Sequence, residues 1–278
     1  MCFVAIQSWA QTDVVMYSPA QLEGLMRFTR MNAAEDAPGF VQRLDLSLHE
    51  LYTLETNLGI FIKCVEVNLN ENKLRAFPDG LDYMPMIQYF RMNHNLVTVI
   101  PTYVKKLVNL QEMDLSFNLI KKVPLEVSKL VSLRVLNLSN NQINAIPENI
   151  GDLSNLESLD CSFNGMAYIP ATIGKLNKLK KLDLHRNYYI DSIPESIGTL
   201  TELTYLDLSN NKISKIPDSI TELENLEYLN LSNNRIKRLP VNIERLTKLK
   251  ELDIRGNSLS KEEKMRIKIR LAAAKVYL

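Results

Sequence analysis

Cysteine is scarce in this sequence, with three residues among 278, and no two of them form a C-x-x-C pair. A disulfide framework of the kind that staples small secreted domains is therefore excluded. An excess of charge of one sign is also lacking, because the formal net charge is +1, so no global field indicates nucleic acid as a partner. No apolar run approaches the ~20 residues that a membrane-spanning helix needs, and we predict no transmembrane segment.

Sequence signatures of catalysis are missing as well. The chain has no G-x-x-x-x-G-K-[ST] loop, no H-E-x-x-H and no G-x-S-x-G. Its histidines, His49, His94 and His185, lie too far apart along the repeat described below to share an ion. The sequence therefore predicts no enzyme, no cofactor and no metal site.

What the sequence has instead is an asparagine at a fixed step of 23 residues, with one additional residue after the sixth asparagine. The series comprises Asn72, Asn95, Asn118, Asn141, Asn164, Asn187, Asn211, Asn234 and Asn257. His49 occupies the same slot one period earlier, which brings the count to ten repeats. A period of this length indicates a solenoid, whose surface is long and ribbed and has no enclosed cleft.

The segment LRVLNLSNNQINAIP at residues 133–147 shows the repeating unit, which follows the pattern LxxLxLxxNxLxxIPxxIxxL. This pattern resembles the leucine-rich repeat family, in the 23-residue form of Ras-group-related and many bacterial repeat proteins, from about residue 41 to residue 259. The resemblance implies an α/β solenoid, a right-handed curved horseshoe with a parallel sheet on its concave face. It also implies a scaffold or adaptor role, often in signal transduction.

The chemistry of the repeat positions agrees with that fold. Alternation with period two in the x-L-x-L-x stretch predicts one short strand per unit, with its leucines towards the core. Cys64 and Cys161 replace leucine in this pattern, so we expect both to be buried. The amide of each repeat asparagine can satisfy backbone groups that the sheet leaves unpaired. We therefore predict that the asparagine ladder stabilises the fold and binds no partner.

Both ends of such a stack expose apolar core and need caps. Ser18-Pro19-Ala20-Gln21 and the pair Ser260 and Glu263 read as capping boxes. They predict helices over about residues 19–32 and 261–271, and residues 276–278 are expected to return as a final strand. We divide the chain into an N-terminal segment with a helical cap at residues 1–40, a solenoid of ten repeats at 41–259, and a C-terminal cap at 260–278.

The first ten residues leave the compartment of the protein open. They are apolar and end in Ser8-Trp9-Ala10, a pattern that signal peptidase cleaves. One interpretation is the tail of a signal peptide that begins upstream of Met1, and the other is a terminus that packs on the cap. Cytoplasmic and exported locations are both consistent with the sequence.

Recognition by a solenoid is expected at exposed positions that depart from the repeat's own pattern. One cluster of departures falls on repeats seven to nine, beside the additional residue, and a second falls on repeat three. The predicted partner-binding residues are Lys181, Asp183, His185, Arg186, Tyr205 and Tyr228 in the first cluster, and Tyr89, Arg91 and His94 in the second. A solvated rib and an atypical early repeat are the structural alternatives. Phe117 and Phe163 are expected to pack at strand ends.

Taken together, these patterns predict a non-catalytic, monomeric module that binds another macromolecule, a protein, on its concave face. Two alternatives stay open at this point. One is an exported bacterial protein for surface recognition or adhesion, and the other is a regulatory domain detached from an enzyme. Aspartates at Asp160, Asp183 and Asp207 could attract a cation, but Asp and Asn are both ordinary in that slot, so the prediction of no metal site stands.

Overall fold

A computed structural model describes residues 15–278, so Cys2 and the signal-peptide pattern at residues 8–10 lie outside the described residues. The described chain contains a single twelve-stranded parallel sheet, in which each strand pairs with the next strand in sequence. The strands are β1 (Arg27–Phe28), β2 (Arg43–Asp45), β3 (Glu66–Asn68), β4 (Tyr89–Arg91), β5 (Glu112–Asp114), β6 (Val135–Asn137), β7 (Ser158–Asp160), β8 (Lys181–Asp183), β9 (Tyr205–Asp207), β10 (Tyr228–Asn230), β11 (Glu251–Asp253) and β12 (Lys275–Tyr277).

The sheet is held in register because every repeat places equivalent residues opposite one another. Leu136 pairs with Leu159, and Leu159 pairs with Leu182. These central residues are buried, while the residues on either side of them face the concave surface. The parallel sheet and its short repeats therefore form the curved leucine-rich-repeat solenoid that the sequence predicted.

On the convex side the chain returns through short 3-10 helices. They span Pro38–Phe40, Leu58–Ile60, Leu81–Tyr83, Thr102–Lys106, Leu125–Lys129, Glu148–Asp152, Ala171–Lys175, Glu195–Thr199, Asp218–Glu222 and Ile243–Arg245. Pro147 precedes one of them with φ −72° and ψ 152°, a conformation that its ring already favours. Apolar residues of strands and turns form one continuous core, which includes Cys64 and Cys161 as free, fully buried cysteines. No helix between residues 15 and 278 is long and apolar enough to cross a membrane.

The repeat asparagines lie inside the turns that follow the strands. In Asn164, Nδ2 donates to the carbonyls of Leu138 at 2.9 Å and Cys161 at 3.2 Å, and Oδ1 accepts from the N–H of Ile143 at 2.8 Å. One side chain thus joins two consecutive repeats and satisfies backbone groups that would otherwise be buried without partners. The other asparagines of the interior repeats repeat this arrangement, apart from Asn211.

The additional residue after Asn187 interrupts that ladder. The N–H of Ile190, the counterpart of the N–H that bonds to asparagine elsewhere, donates to the carbonyl of Asn187 at 3.0 Å. As a result, Oδ1 of Asn211 is buried and has no hydrogen-bond partner in the part of the chain that the structure describes. Its Nδ2 still donates to Leu184 and Leu208, both at 3.0 Å. The junction between repeats seven and eight therefore has an incomplete rung.

The N-terminal region differs from the single helix predicted over residues 19–32. It contains two short helices, α1 (Pro19–Leu22) and α2 (Met31–Glu35), with strand β1 between them. The prediction was wrong because part of this segment pairs with the first repeat as a strand. The carbonyl of Met26 accepts from the N–H of Arg43, and β1 then pairs with β2. The edge of the sheet is then formed by a strand of only two residues, which offers few unpaired backbone groups.

The C-terminal region follows its predicted order, with α3 (Lys261–Arg270) and then β12, which pairs with β11. The expected capping box is only half formed. Ser260 Oγ accepts from the N–H of Glu263 at 3.1 Å, but the Glu263 carboxylate accepts from the N–H of Leu239 at 2.9 Å and from Arg266. The acid reaches back to the last full repeat and ties α3 to the solenoid. The division at residues 40 and 259 stays a prediction, since the sheet runs through both positions.

Candidate functional site

Three side chains that start neighbouring strands form a row on the concave face of repeats seven to nine. Lys181, Tyr205 and Tyr228 are register partners on β8, β9 and β10. The two tyrosine rings stack with centroids 4.6 Å apart and an interplanar angle of 6°, and Lys181 Nζ lies 5.3 Å from the Tyr205 centroid. Burial and the nearby aspartates raise the pKa of Tyr205 above its usual range, so its hydroxyl stays a hydrogen-bond donor.

Below this row lies a group of acidic residues with one histidine. Asp183 and Asp207 are register partners and both are buried. His185 Nδ1 lies 2.6 Å from Oδ1 of Asp183, and this hydrogen bond raises the pKa of His185. Burial, together with the charge of Asp183, raises the pKa of Asp160 on the preceding strand.

Asp183, His185 and Asp207 have side-chain atoms of the kind that coordinate a divalent cation. One ligand atom each from Asp183, His185 and Asp207 all lie within 4.8 Å of one another. The sequence treated the histidines and the aspartates separately and did not foresee this grouping. The carboxylates already accept hydrogen bonds from backbone N–H groups two residues on, which accounts for their positions without an ion. The absence of a metal site stays a prediction.

Beside the row, Arg186 lies over the ring of Phe163, which also contacts His185. Its guanidinium lies 4.7 Å from the Phe163 centroid, and the His185 ring meets Phe163 edge-on at 4.7 Å. Tyr188 and Tyr189, in the turn that carries the one additional residue, are exposed. The structure therefore brings the six predicted residues of repeats seven to nine together in one cluster, in which Asp183 is buried and the other five are at least partly exposed. We call this cluster the late patch: Lys181, Asp183, His185, Arg186, Tyr205 and Tyr228.

Phe117 and Phe163 are more exposed than the sequence suggested, at 45% and 37%. Both have a positive φ, 53° and 51°, in the slot that Asn140 and Asn210 occupy elsewhere. A bulky residue is an outlier in this conformation, whereas asparagine tolerates it. The sequence carried a signal that could have found them, namely an aromatic residue in a turn slot that holds asparagine in three other repeats.

The second predicted cluster is occupied by contacts within the chain. Arg91 pairs with Glu66 and with Glu112, the latter at 2.6 Å, and Glu66 also pairs with Arg43. Tyr89 is only 2% exposed, and its hydroxyl donates to the carbonyl of Tyr17 at 2.6 Å. These contacts give both side chains a role inside the fold, and their binding of a partner stays a prediction.

His94, the third member of that cluster, stands apart from the other two. Its ring stacks on Phe117 with centroids 4.0 Å apart and an interplanar angle of 11°. It lies in the turn after β4, with φ 51°. The structure therefore places His94 at the edge of the concave face, with the exposed aromatic residues, and leaves Tyr89 and Arg91 on the strand.

Sequence comparison with family models agrees with the repeat geometry. A model described as leucine-rich repeat region matches residues 125–204, and one described as leucine rich repeat matches residues 201–259. The chain is a leucine-rich repeat protein. No curated protein matches this leucine-rich repeat chain significantly in sequence.

Several solved leucine-rich repeat structures are similar to this chain. The ectodomain of the Arabidopsis thaliana receptor kinase GASSHO1/SCHENGEN3, in complex with CASPARIAN STRIP INTEGRITY FACTOR 2, is 28% identical with a TM-score of 0.73, over 86% of this chain and 30% of the receptor chain. The plant peptide hormone receptor RGFR1, in complex with RGF2, is 27% identical with a TM-score of 0.67, over 75% of this chain and 36% of that one. The chain thus spans about a third of the length of these two receptor chains.

A bacterial structure shares the fold alone. An internalin from Listeria monocytogenes is 19% identical with a TM-score of 0.71, over 90% of this chain and 77% of the internalin chain. At that identity the likeness extends to the solenoid and not to the side chains on its surface.

Proposed function

We propose that this leucine-rich repeat protein is a non-catalytic recognition module that binds a protein partner through the late patch on its concave face. The observation that carries this proposal is the row formed by Lys181, Tyr205 and Tyr228, stacked across three strands and half-exposed. Tyrosine offers a large contact area with few rotatable bonds, so little conformational entropy is lost when it binds.

The charges of the late patch indicate what the partner surface contains. Asp183 and Asp207 are buried, whereas Lys181 and His185 are half-exposed and Arg186 is exposed. The groups that a partner would meet are therefore cationic or aromatic. A partner with carboxylates beside an apolar or aromatic side chain is complementary to them.

The similar plant ectodomains support the same kind of function. Their structures were solved as complexes, one of them being a peptide hormone receptor bound to RGF2. By analogy we propose that this chain also takes a protein or peptide ligand, in a scaffold or signalling role. A monomeric state, a non-enzymatic role and either compartment remain part of this proposal.

Calorimetry on variants tests the assignment of the surface. After a pull-down from the native source has supplied the partner, we expect Arg186→Ala or Tyr205→Ala to weaken binding by more than ~1 kcal/mol while the fold is unchanged. Glu148→Ala is the matched control, because Glu148 is exposed on a convex 3-10 helix. If the convex variant weakens binding and the two concave variants do not, the recognition surface lies on the other side.

A further inference from the structure

The chain's own residues 15–17 lie against repeats three and four and are held there by their main chain. Gln88 Nε2 donates to the carbonyl of Val15 at 2.7 Å, and Gln88 Oε1 accepts from the N–H of Tyr17 at 2.7 Å. The carbonyl of Tyr17 also accepts from the Tyr89 hydroxyl at 2.6 Å and from Gln111 Nε2 at 3.0 Å. One side-chain amide thus pairs with a peptide as a neighbouring strand would, with a donor and an acceptor side by side.

The groups that make these bonds are fixed in place. Gln88, Tyr89 and Gln111 are 0%, 2% and 7% exposed. Gln111 Nε2 also donates to Gln88 Oε1 at 2.9 Å, so the two amides orient each other. Because this bond between the two amides orients them, the pair loses little rotamer entropy when it takes up a peptide.

The fold itself does not need glutamine in this slot. Five of the six equivalent residues in later repeats are charged, Thr204 being the exception, and these five pair with charged neighbours in the same slot. Glu157 pairs with Arg134 at 2.7 Å and with Lys180 at 3.0 Å, and Glu227 pairs with Lys250 at 2.7 Å. The change from charged to amide side chains coincides with the place where the extended segment lies.

The segment contributes little besides its backbone. The side chains of Val15 and Met16 are 60% and 43% exposed, and the bonds to Gln88 and Gln111 all use main-chain atoms of residues 15 and 17. Any extended peptide carries the same donor and acceptors. Release of the segment would cost these hydrogen bonds and expose the partly buried Tyr17 side chain, while Val15 and Met16 already lie largely in solvent.

We propose that Gln88, Tyr89 and Gln111 form a binding site for the main chain of an extended peptide, and that residues 15–17 are a tethered occupant which such a peptide replaces. The site lies in repeats three and four, apart from the late patch, and does not rest on the function proposed there. It works by β-augmentation with side-chain amides in place of a strand edge. An incoming peptide can bind only while the tethered segment is away from the site. Its apparent affinity is therefore the intrinsic affinity multiplied by the fraction of time that the site is free.

Fluorescence anisotropy with the full chain tests this proposal, using a labelled synthetic peptide with the sequence of residues 12–20. Tyr17→Pro removes the N–H that donates to Gln88, so the tethered segment is released more often. We expect this variant to bind the peptide about fivefold more tightly than the wild-type chain. Adding Gln88→Met removes the carbonyl oxygen and the NH2 group of the side-chain amide while keeping a similar side-chain length. We expect this second substitution to reverse the gain in affinity.

Lys250→Gln in the Tyr17→Pro background is the control, since it places an amide in the same slot at the far end of the sheet and should leave peptide affinity unchanged. Amide hydrogen exchange of the wild-type chain gives a second measurement: excess unlabelled peptide should accelerate exchange at Tyr17. The proposal is overturned if Tyr17→Pro binds no more tightly, if Gln88→Met has no effect in that background, or if exchange at Tyr17 is unchanged. None of these outcomes bears on Tyr205 or Arg186.

Discussion

The concave face has two regions that depart from the repeat pattern, and the chain treats them in opposite ways. In repeats three and four, Arg91 is held between two carboxylates and Tyr89 is buried beneath residues 15–17. In the late patch, Lys181 and Tyr205 contact each other and remain half-exposed. The same kind of sequence departure therefore marks an intramolecular network in one place and an open surface in the other.

The largest effect expected from this difference concerns Glu66. Its carboxylate is 7% exposed and pairs with both Arg43 and Arg91, so Glu66→Ala leaves two partly buried guanidinium groups without their shared partner. We expect a loss of about 2–3 kcal/mol in the free energy of unfolding, measured by urea denaturation. Lys181→Ala in the late patch should cost no more than ~1 kcal/mol, the value of an exposed cation–π contact. Equal losses from Glu66→Ala and Lys181→Ala would mean that the side chains of the two regions contribute alike to stability.

The asparagine ladder beneath the two regions provides the next test. Asn118 donates to Met92 and accepts from the N–H of Val97, each at 2.9 Å, whereas Oδ1 of Asn211 has no partner among residues 15–278. We expect Asn118→Ala to lower the free energy of unfolding by about 2–3 kcal/mol and Asn211→Ala by about 1 kcal/mol. Chemical denaturation of both variants measures the difference. A greater loss at Asn211 would contradict the incomplete rung, and Ser139→Ala serves as a control outside the ladder.

His185 gives the late patch a dependence on pH. Its hydrogen bond to Asp183 raises its folded pKa above the ordinary value of 6.5, and Asp207 and Asp160 act in the same direction while burial opposes them. Lys181 is the nearby cation on the same strand. A raised pKa adds stability that is fully present below about pH 6.5 and is lost as the pH rises through the folded pKa.

Thermal melting across this range should therefore separate the wild type from His185→Ser, which restores the residue found at Ser162 and Ser209. We expect the free energy of unfolding of the wild type to exceed that of the variant by more at acidic than at alkaline pH. The difference should be less than ~1 kcal/mol because the histidine is partly exposed. A gap that widens with rising pH would show that His185 is stabilised in its neutral form.

The smallest effect concerns the turn slot with positive φ. The first four repeats hold no asparagine in this slot (Leu48, Glu71, His94 and Phe117), whereas the later repeats hold Asn140, Phe163, Arg186, Asn210, Asn233 and Gly256. Glu71 is exposed with φ 54°, so Glu71→Asn should stabilise the fold by about 0.5–1 kcal/mol. Asn210→Glu should destabilise it by a similar amount. A lower melting temperature for Glu71→Asn, or a higher one for Asn210→Glu, would show that backbone strain does not distinguish these two positions.

The sequence predicted what is local and repeated. Spacing of leucines such as Leu136 and Leu159 placed every interior strand, and Ser260 marked the start of α3. It could not predict contacts between distant parts of the chain, such as Gln88 with Tyr17 across 71 residues, because no periodic pattern encodes them. The late patch could be located from departures in the pattern, but the exposure of Phe163 and the turning of Glu263 towards Leu239 depended on three-dimensional packing.

The incomplete rung at Asn211 also bears on how the molecule comes apart. In a repeat array each unit contacts only its neighbours, so the weakest junction decides where cooperative unfolding divides. Between repeats seven and eight the side-chain amide ties the turns through its nitrogen alone. We expect partial melting or mechanical extension to separate the chain there first, into an N-terminal block that carries the tethered segment and a C-terminal block closed by α3. The late patch spans the junction between repeats seven and eight, so a partner bound across β8 and β9 would hold the two blocks together.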